Sequence, residues 1–161
     1  MEFSIEKFNE VKNEAENFYS KIEKIKCPYF EEYVYFNTKG FDHLIFKEWN
    51  KTRPVGDQFP RFRYLKLAPE VIANSKTLQG IWSTQKFERI HRKDGWIKVL
   101  KNTVYYEFIA VMNFRVSKVR VKVIVKEIDG GEKFFLSIIP FWGIDKKTAN
   151  RVMYTGNSEI D

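Results

Sequence analysis

The sequence predicts an α+β fold, with N-terminal helices packed on one face of an antiparallel β-sheet of about four to six strands. Three observations predict it. Apolar residues recur at helical spacing in 3–26 and again from Phe41 to Trp49. From Leu78 to Trp142 they recur every second residue, and turn residues cut that region into strand-length pieces.

The first segment reads as one amphipathic helix. Phe8, Val11, Ala15, Phe18, Ile22 and Ile25 alternate spacings of three and four, Ser4 suits the cap and Pro28 marks the stop. Tyr33 to Phe36 is aromatic and β-branched, hence a strand, and Asn37-Thr-Lys-Gly40 is turn chemistry. The helix expected from Phe41 to Trp49 packs Phe41, Leu44, Ile45 and Trp49. It displays His43 and Lys47 on the opposite side, one turn apart. Asn50 to Pro60, with Pro54, Gly56 and Pro60, reads as a loop whose Lys51 and Arg53 reach phosphate. Arg61-Phe-Arg63-Tyr-Leu-Lys66 then alternates cations with apolar residues, and Pro69 suits the first turn of a short helix.

Strands are expected over 80–91, 95–101, 103–114, 117–127 and 133–141, separated by hairpin signals at Lys93-Asp-Gly95, Lys101-Asn102 and Asp129-Gly-Gly131. In the clearest of them Val119, Val121, Val123 and Val125 face the helices. Arg120, Lys122, Ile124 and Lys126 form an opposite face that is expected to be open and positive. Phe134 to Trp142 is so apolar that it must be central or covered on both faces, with Ser137 its single polar side chain. Residues 143–161 read as a loosely held polar tail.

At 161 residues the chain has the length of one domain, and hydrophobic and aromatic fractions of 43% and 17% argue against disorder. A net charge of +7 favours a polyanionic partner: nucleic acid, an acidic membrane surface or an acidic inhibitor protein. Cys27 is the only cysteine, which excludes an internal disulfide. With only His43 and His91 besides, no metal site and no cofactor are expected. The acidic-amphipathic N-terminus is unlike a signal peptide, and no apolar run approaches membrane-spanning length, so a cytoplasmic protein without membrane contact is expected.

Glycine-rich phosphate loops, nucleophile elbows and paired carboxylates are all absent. A helix-borne histidine among Lys and Arg, with Tyr and Ser hydroxyls, suits a metal-independent ribonuclease. Such an enzyme needs a base for the 2′-hydroxyl proton, cations for charge on phosphorus and an acid for the leaving 5′-oxygen. Lys47 is expected to depress the His43 pKa and keep the ring neutral. A non-catalytic nucleic-acid-binding module using the same basic sheet face is the alternative, and a protein-interaction domain a third.

The order Val34-Tyr-Phe36, Gly40-Phe-Asp-His-Leu-Ile-Phe-Lys47, Arg61-Phe-Arg-Tyr-Leu65, Val119-Arg-Val121 and Phe134-Phe-Leu-Ser-Ile138 resembles the phage-type nucleases of the Barnase–EndoU–colicin–RelE-like (BECR) group. The match covers 29–142, outside which lie an N-terminal helix over 1–28 and the tail over 143–161. The resemblance implies a curved sheet cutting RNA on its exposed face, and a toxin-like role restrained by an acidic antitoxin or immunity protein. By position His43, Lys47, Arg61, Arg120 and Ser137 match the group's catalytic positions. Because catalytic residues vary across the group, His43 as base is read from the residues themselves. Arg53, Arg63, Lys122 and Tyr106 are the expected substrate contacts. Neither the oligomeric state nor the RNA cleaved is legible.

Overall fold

Ser4 accepts a hydrogen bond from the Lys7 amide at 3.1 Å and starts helix α1, Ile5–Ser20, whose inner stripe is Phe8, Ala15 and Tyr19. A computed structural model describes residues 3–48, 51–140 and 157–161 of the chain. The helix ends at Ser20, short of the expected residue 26. The next stretch, Lys24-Ile-Lys-Cys27, alternates polar and apolar residues and forms strand β1, Lys24–Cys27, antiparallel to β2, Glu32–Tyr35. Ile25 fits both periods, and pairing with β2 decided between them.

Asn37 caps helix α2, Thr38–Ile45, by accepting from the Gly40 amide at 3.3 Å. Its chain then turns extended at Phe46 and makes a small hairpin, β3 Phe46–Glu48 with β4 Lys51–Thr52. Lys47 is therefore a strand residue and not a helical neighbour of His43. Trp49 lies outside the described residues.

The expected loop at 50–60 is instead the approach to helix α3, Val55–Tyr64, with Pro60 inside it. A proline there costs a backbone bond and roughly 3 kcal/mol in an isolated helix. Burial of Phe59, Phe62 and Tyr64 outweighs that cost. A 3₁₀ turn, Leu65–Leu67, leads into α4, Ala68–Asn74, with Pro69 in its first turn as expected.

Four strands complete the sheet: β5 Gly80–Arg92, β6 Gly95–Phe114, β7 Ser117–Ile128 and β8 Lys133–Pro140. The hairpin expected at Lys101-Asn102 does not exist, because β6 runs straight through it. Asn102 instead receives the turn that ends β7, donating its amide to the Asp129 carboxylate at 2.8 Å and accepting from the Asp129 amide at 2.7 Å. Asp129 and Gly130 both have positive φ, as the tight turn closed by the Gly131 amide on the Ile128 carbonyl at 2.9 Å requires.

The sheet order is β1-β2-β8-β7-β6-β5, and β2 pairs with β8 in parallel. The sheet is thus mixed, not wholly antiparallel, since the long chain between β2 and β8 returns as a crossover. Val119, Val121, Val123 and Val125 share one apolar core with Phe8, Leu44, Phe62 and Ile72 of the helices. The expected valine face is borne out, as is the central position of β8. Cys27 is fully buried as a small core residue. Among the described residues no helix is long and apolar enough to cross a membrane.

The opposite face departs from expectation. Residues 157–161 are no loose tail: Ser158 and Asp161 are buried, and this segment covers part of that face. Residues 143–156 fall outside the described residues.

Candidate functional site

The parallel pairing of β2 with β8 involves only Val34 and Tyr35, after which α2 continues beside β8. Gly40 permits this approach, because a Cβ there would run into the backbone oxygen of Phe135 and the Tyr19 hydroxyl. Packed this closely, α2 carries His43 in its last turn. The β3–β4 hairpin then brings Arg53 back, its amide donating to the Ile45 carbonyl at 2.7 Å.

Arg53 is only 2% exposed. Its Nε donates to the His43 carbonyl and an Nη to His43 Nε2, each at 2.9 Å. The same Nη donates to the Ile160 carbonyl at 2.7 Å. A guanidinium has no acceptor, so Nε2 must accept and the ring is neutral with its proton on Nδ1. Burial, followed by the charges of Arg53, Arg61, Lys126 and Lys86, holds the imidazole pKa well below its usual value. The expected neutral ring is present, but Lys47 is not what makes it so. Burial also lowers the Arg53 guanidinium, to about 10, which leaves it charged at neutral pH.

Lys126 and Lys86 reach this place from the non-valine face. Lys126 binds Glu88 at 2.9 Å and lies 5.6 Å from the Tyr105 ring centre. Burial lowers its pKa, against the opposing effect of Glu88. Lys86 binds Glu159 at 2.6 Å and lies 3.5 Å from the Tyr105 hydroxyl. Burial raises the Tyr105 pKa, so the phenol stays protonated, and Trp82 stacks on its ring at 5.3 Å. The result is a largely buried cationic cluster of His43, Arg53, Arg61, Lys86 and Lys126 beside a buried phenol, flanked by Glu88 and Glu159.

Ser137 and Lys122 stand next to it, already engaged by the terminal segment. Ser137 donates to the Asp161 backbone oxygen at 2.6 Å, the satisfied buried hydroxyl that its apolar strand suggests. Lys122 is 3% exposed and binds Glu107 at 2.6 Å and Asp161 at 3.2 Å. The open positive face expected here is therefore partly closed, because carboxylates distant in sequence fold onto its lysines.

Other expected members lie elsewhere. Arg63 points to the helix side, with its guanidinium 5.4 Å from the Phe114 ring centre. Tyr106 faces the same way, packed edge-on against Phe30 at 4.7 Å, because its register partner is Val125 of the valine face. Arg120 is exposed at the start of β7, six residues from Lys126, or roughly 20 Å along the strand. Lys47 leaves with β3. Tyr105, Lys86 and Lys126 were not singled out from sequence, although the alternation of β7 already put Lys126 on this face. Nothing local marked Glu88, Glu159 or Asp161. Among the described residues no group of His, Cys, Asp and Glu could hold a metal ion. No family model, curated protein or solved structure matches the chain.

Proposed function

We propose that the chain is a metal-independent RNA endonuclease that transfers the scissile phosphate to the adjacent 2′-hydroxyl and leaves a 2′,3′-cyclic phosphate. The observation that carries this reading is a neutral His43 hydrogen-bonded to Arg53 in a cluster of cations. In this reading the phosphate oxygens take the Arg53 guanidinium away from the imidazole. Nε2 is then free to accept the 2′-hydroxyl proton. Arg53, Arg61 and Lys86 offset the charge that develops on phosphorus. Lys126, whose proton burial has loosened, donates to the leaving 5′-oxygen. Ser137 and Lys122 position the terminal segment instead of meeting substrate. The likeness to BECR nucleases and the basic net charge extend the proposal to a toxin-like protein in the cytoplasm, restrained by an acidic antitoxin or immunity protein.

A second reading, a nucleic-acid-binding module without catalysis, draws on the same contact: the Nε2 lone pair of His43 is occupied by Arg53. Incubation of the purified protein with total RNA and a chelator separates the two. The nuclease yields fragments with cyclic-phosphate ends, and His43→Ala slows cleavage by ~10²–10⁴. Intact RNA with retained binding supports the module, and cleavage by His43→Ala at the parent rate removes His43 from its role.

A further inference from the structure

Strand β7 pairs with β6 only from Thr103 onward. The part of the β5–β6 hairpin from Gln85 to Asn102 therefore projects beyond the sheet as a two-stranded ribbon. Its register stacks three cross-strand pairs on one face: Phe87 with Leu100, Arg89 with Lys98, and His91 with Trp96. Successive pairs are about 7 Å apart along the strands. Phe87, Trp96 and Leu100 are 64%, 61% and 50% exposed. The Arg89 guanidinium lies 4.8 Å from the Trp96 ring centre, and the His91 ring meets Trp96 edge-on at 5.1 Å. Glu88, on the other face of the ribbon, is engaged by Lys126. Isolated two-stranded hairpins gain little from leaving such rings in water.

We propose that this ribbon face binds single-stranded nucleic acid, with bases stacked on Phe87 and Trp96 and phosphate held by Arg89 and Lys98. The order ring, cation, ring decides the partner. A bilayer or an apolar protein surface that covered both rings would also bury the cations between them, at a heavy desolvation cost. A nucleic-acid strand offers a π-face and a phosphate in every nucleotide, which suits that alternation. At the tip Arg92 and Lys93 outnumber Asp94 and leave a net positive charge. The inference shares a substrate class with the proposed His43 site but does not need that site to cut.

The test uses the full chain and a fluorescein-labelled thymidine oligodeoxynucleotide, which lacks the 2′-hydroxyl and so reports binding alone. Phe87→Ala with Trp96→Ala should weaken binding about tenfold or more. Arg89→Gln with Lys98→Gln should weaken it too and reduce the slope of log K against log salt by about 1.4 between ~50 and ~200 mM. Lys76→Gln with Lys118→Gln, the same charge change away from the ribbon, should keep most of the affinity, and Trp96→Tyr, which keeps a ring, should bind like the parent. Unchanged binding by the aromatic double variant overturns the proposal, as does an equal loss from the Lys76 and Lys118 pair. Ribbon-dependent binding to anionic vesicles without oligonucleotide binding overturns it as well.

Discussion

Arg53 holds His43 at two points at once, Nε on its carbonyl and Nη on ring Nε2, both at 2.9 Å. The donor-only guanidinium fixes the tautomer, and its charge together with burial fixes the protonation state.

This contact sets a pH dependence of stability. Above about pH 6.5 the ring is neutral in both the folded and the unfolded chain. Below that, the unfolded ring takes up a proton that the folded ring refuses, so the folded state loses stability as pH falls. His43→Gln should therefore show a shallower loss between about pH 6.5 and 5, where a full proton difference is worth ~1.4 kcal/mol per pH unit. Urea melts of parent and variant across that range check it, and parallel slopes would mean that the ring titrates normally.

Lys122 and Arg120 are neighbours on one strand face but should behave in opposite ways. Lys122→Ala leaves the buried carboxylate of Asp161 without its ammonium and should cost ~3–5 kcal/mol in denaturant unfolding. Arg120→Ala removes an exposed side chain and should stay within about 0.5 kcal/mol. It should also leave RNA cleavage unchanged, because Arg120 stands away from the His43 cluster.

Gly40→Ala would ordinarily favour a helix by about 1 kcal/mol. Here the new methyl meets the Phe135 backbone oxygen and the Tyr19 hydroxyl, and the backbone oxygen cannot swing away. A net destabilisation of ~1–3 kcal/mol is expected, read from thermal melts. A variant more stable than the parent would show that α2 is free to slide along β8.

Glu159 neutralises Lys86 at the edge of the cationic site. Glu159→Gln should raise oligonucleotide affinity by a factor of about two to five and steepen its salt dependence. Fluorescence anisotropy at two salt concentrations measures both, and an unchanged affinity would place Lys86 outside the path of the strand.

Much of the scaffold was legible in the residues themselves. Alternation identified β7 and its valine face, apolarity marked β8 as central, Ser4 and Pro69 marked helix starts, and Asp129-Gly130 marked a reversal. Each of these is a local preference or a repeat that a short window contains. Only the tertiary structure decided that Lys24-Ile-Lys-Cys27 pairs as a strand, that Phe59 and Phe62 draw Pro60 into a helix, and that β2 and β8 run parallel. It also decided the site. The expected neighbour of His43 was Lys47, four positions along a helix, and the actual one is Arg53, returned by a hairpin. A period of two tells which side chains share a face, but not what comes to cover that face. Lys122 and Ser137 meet Asp161 across 39 and 24 residues, and contacts of that separation leave no mark in local spacing.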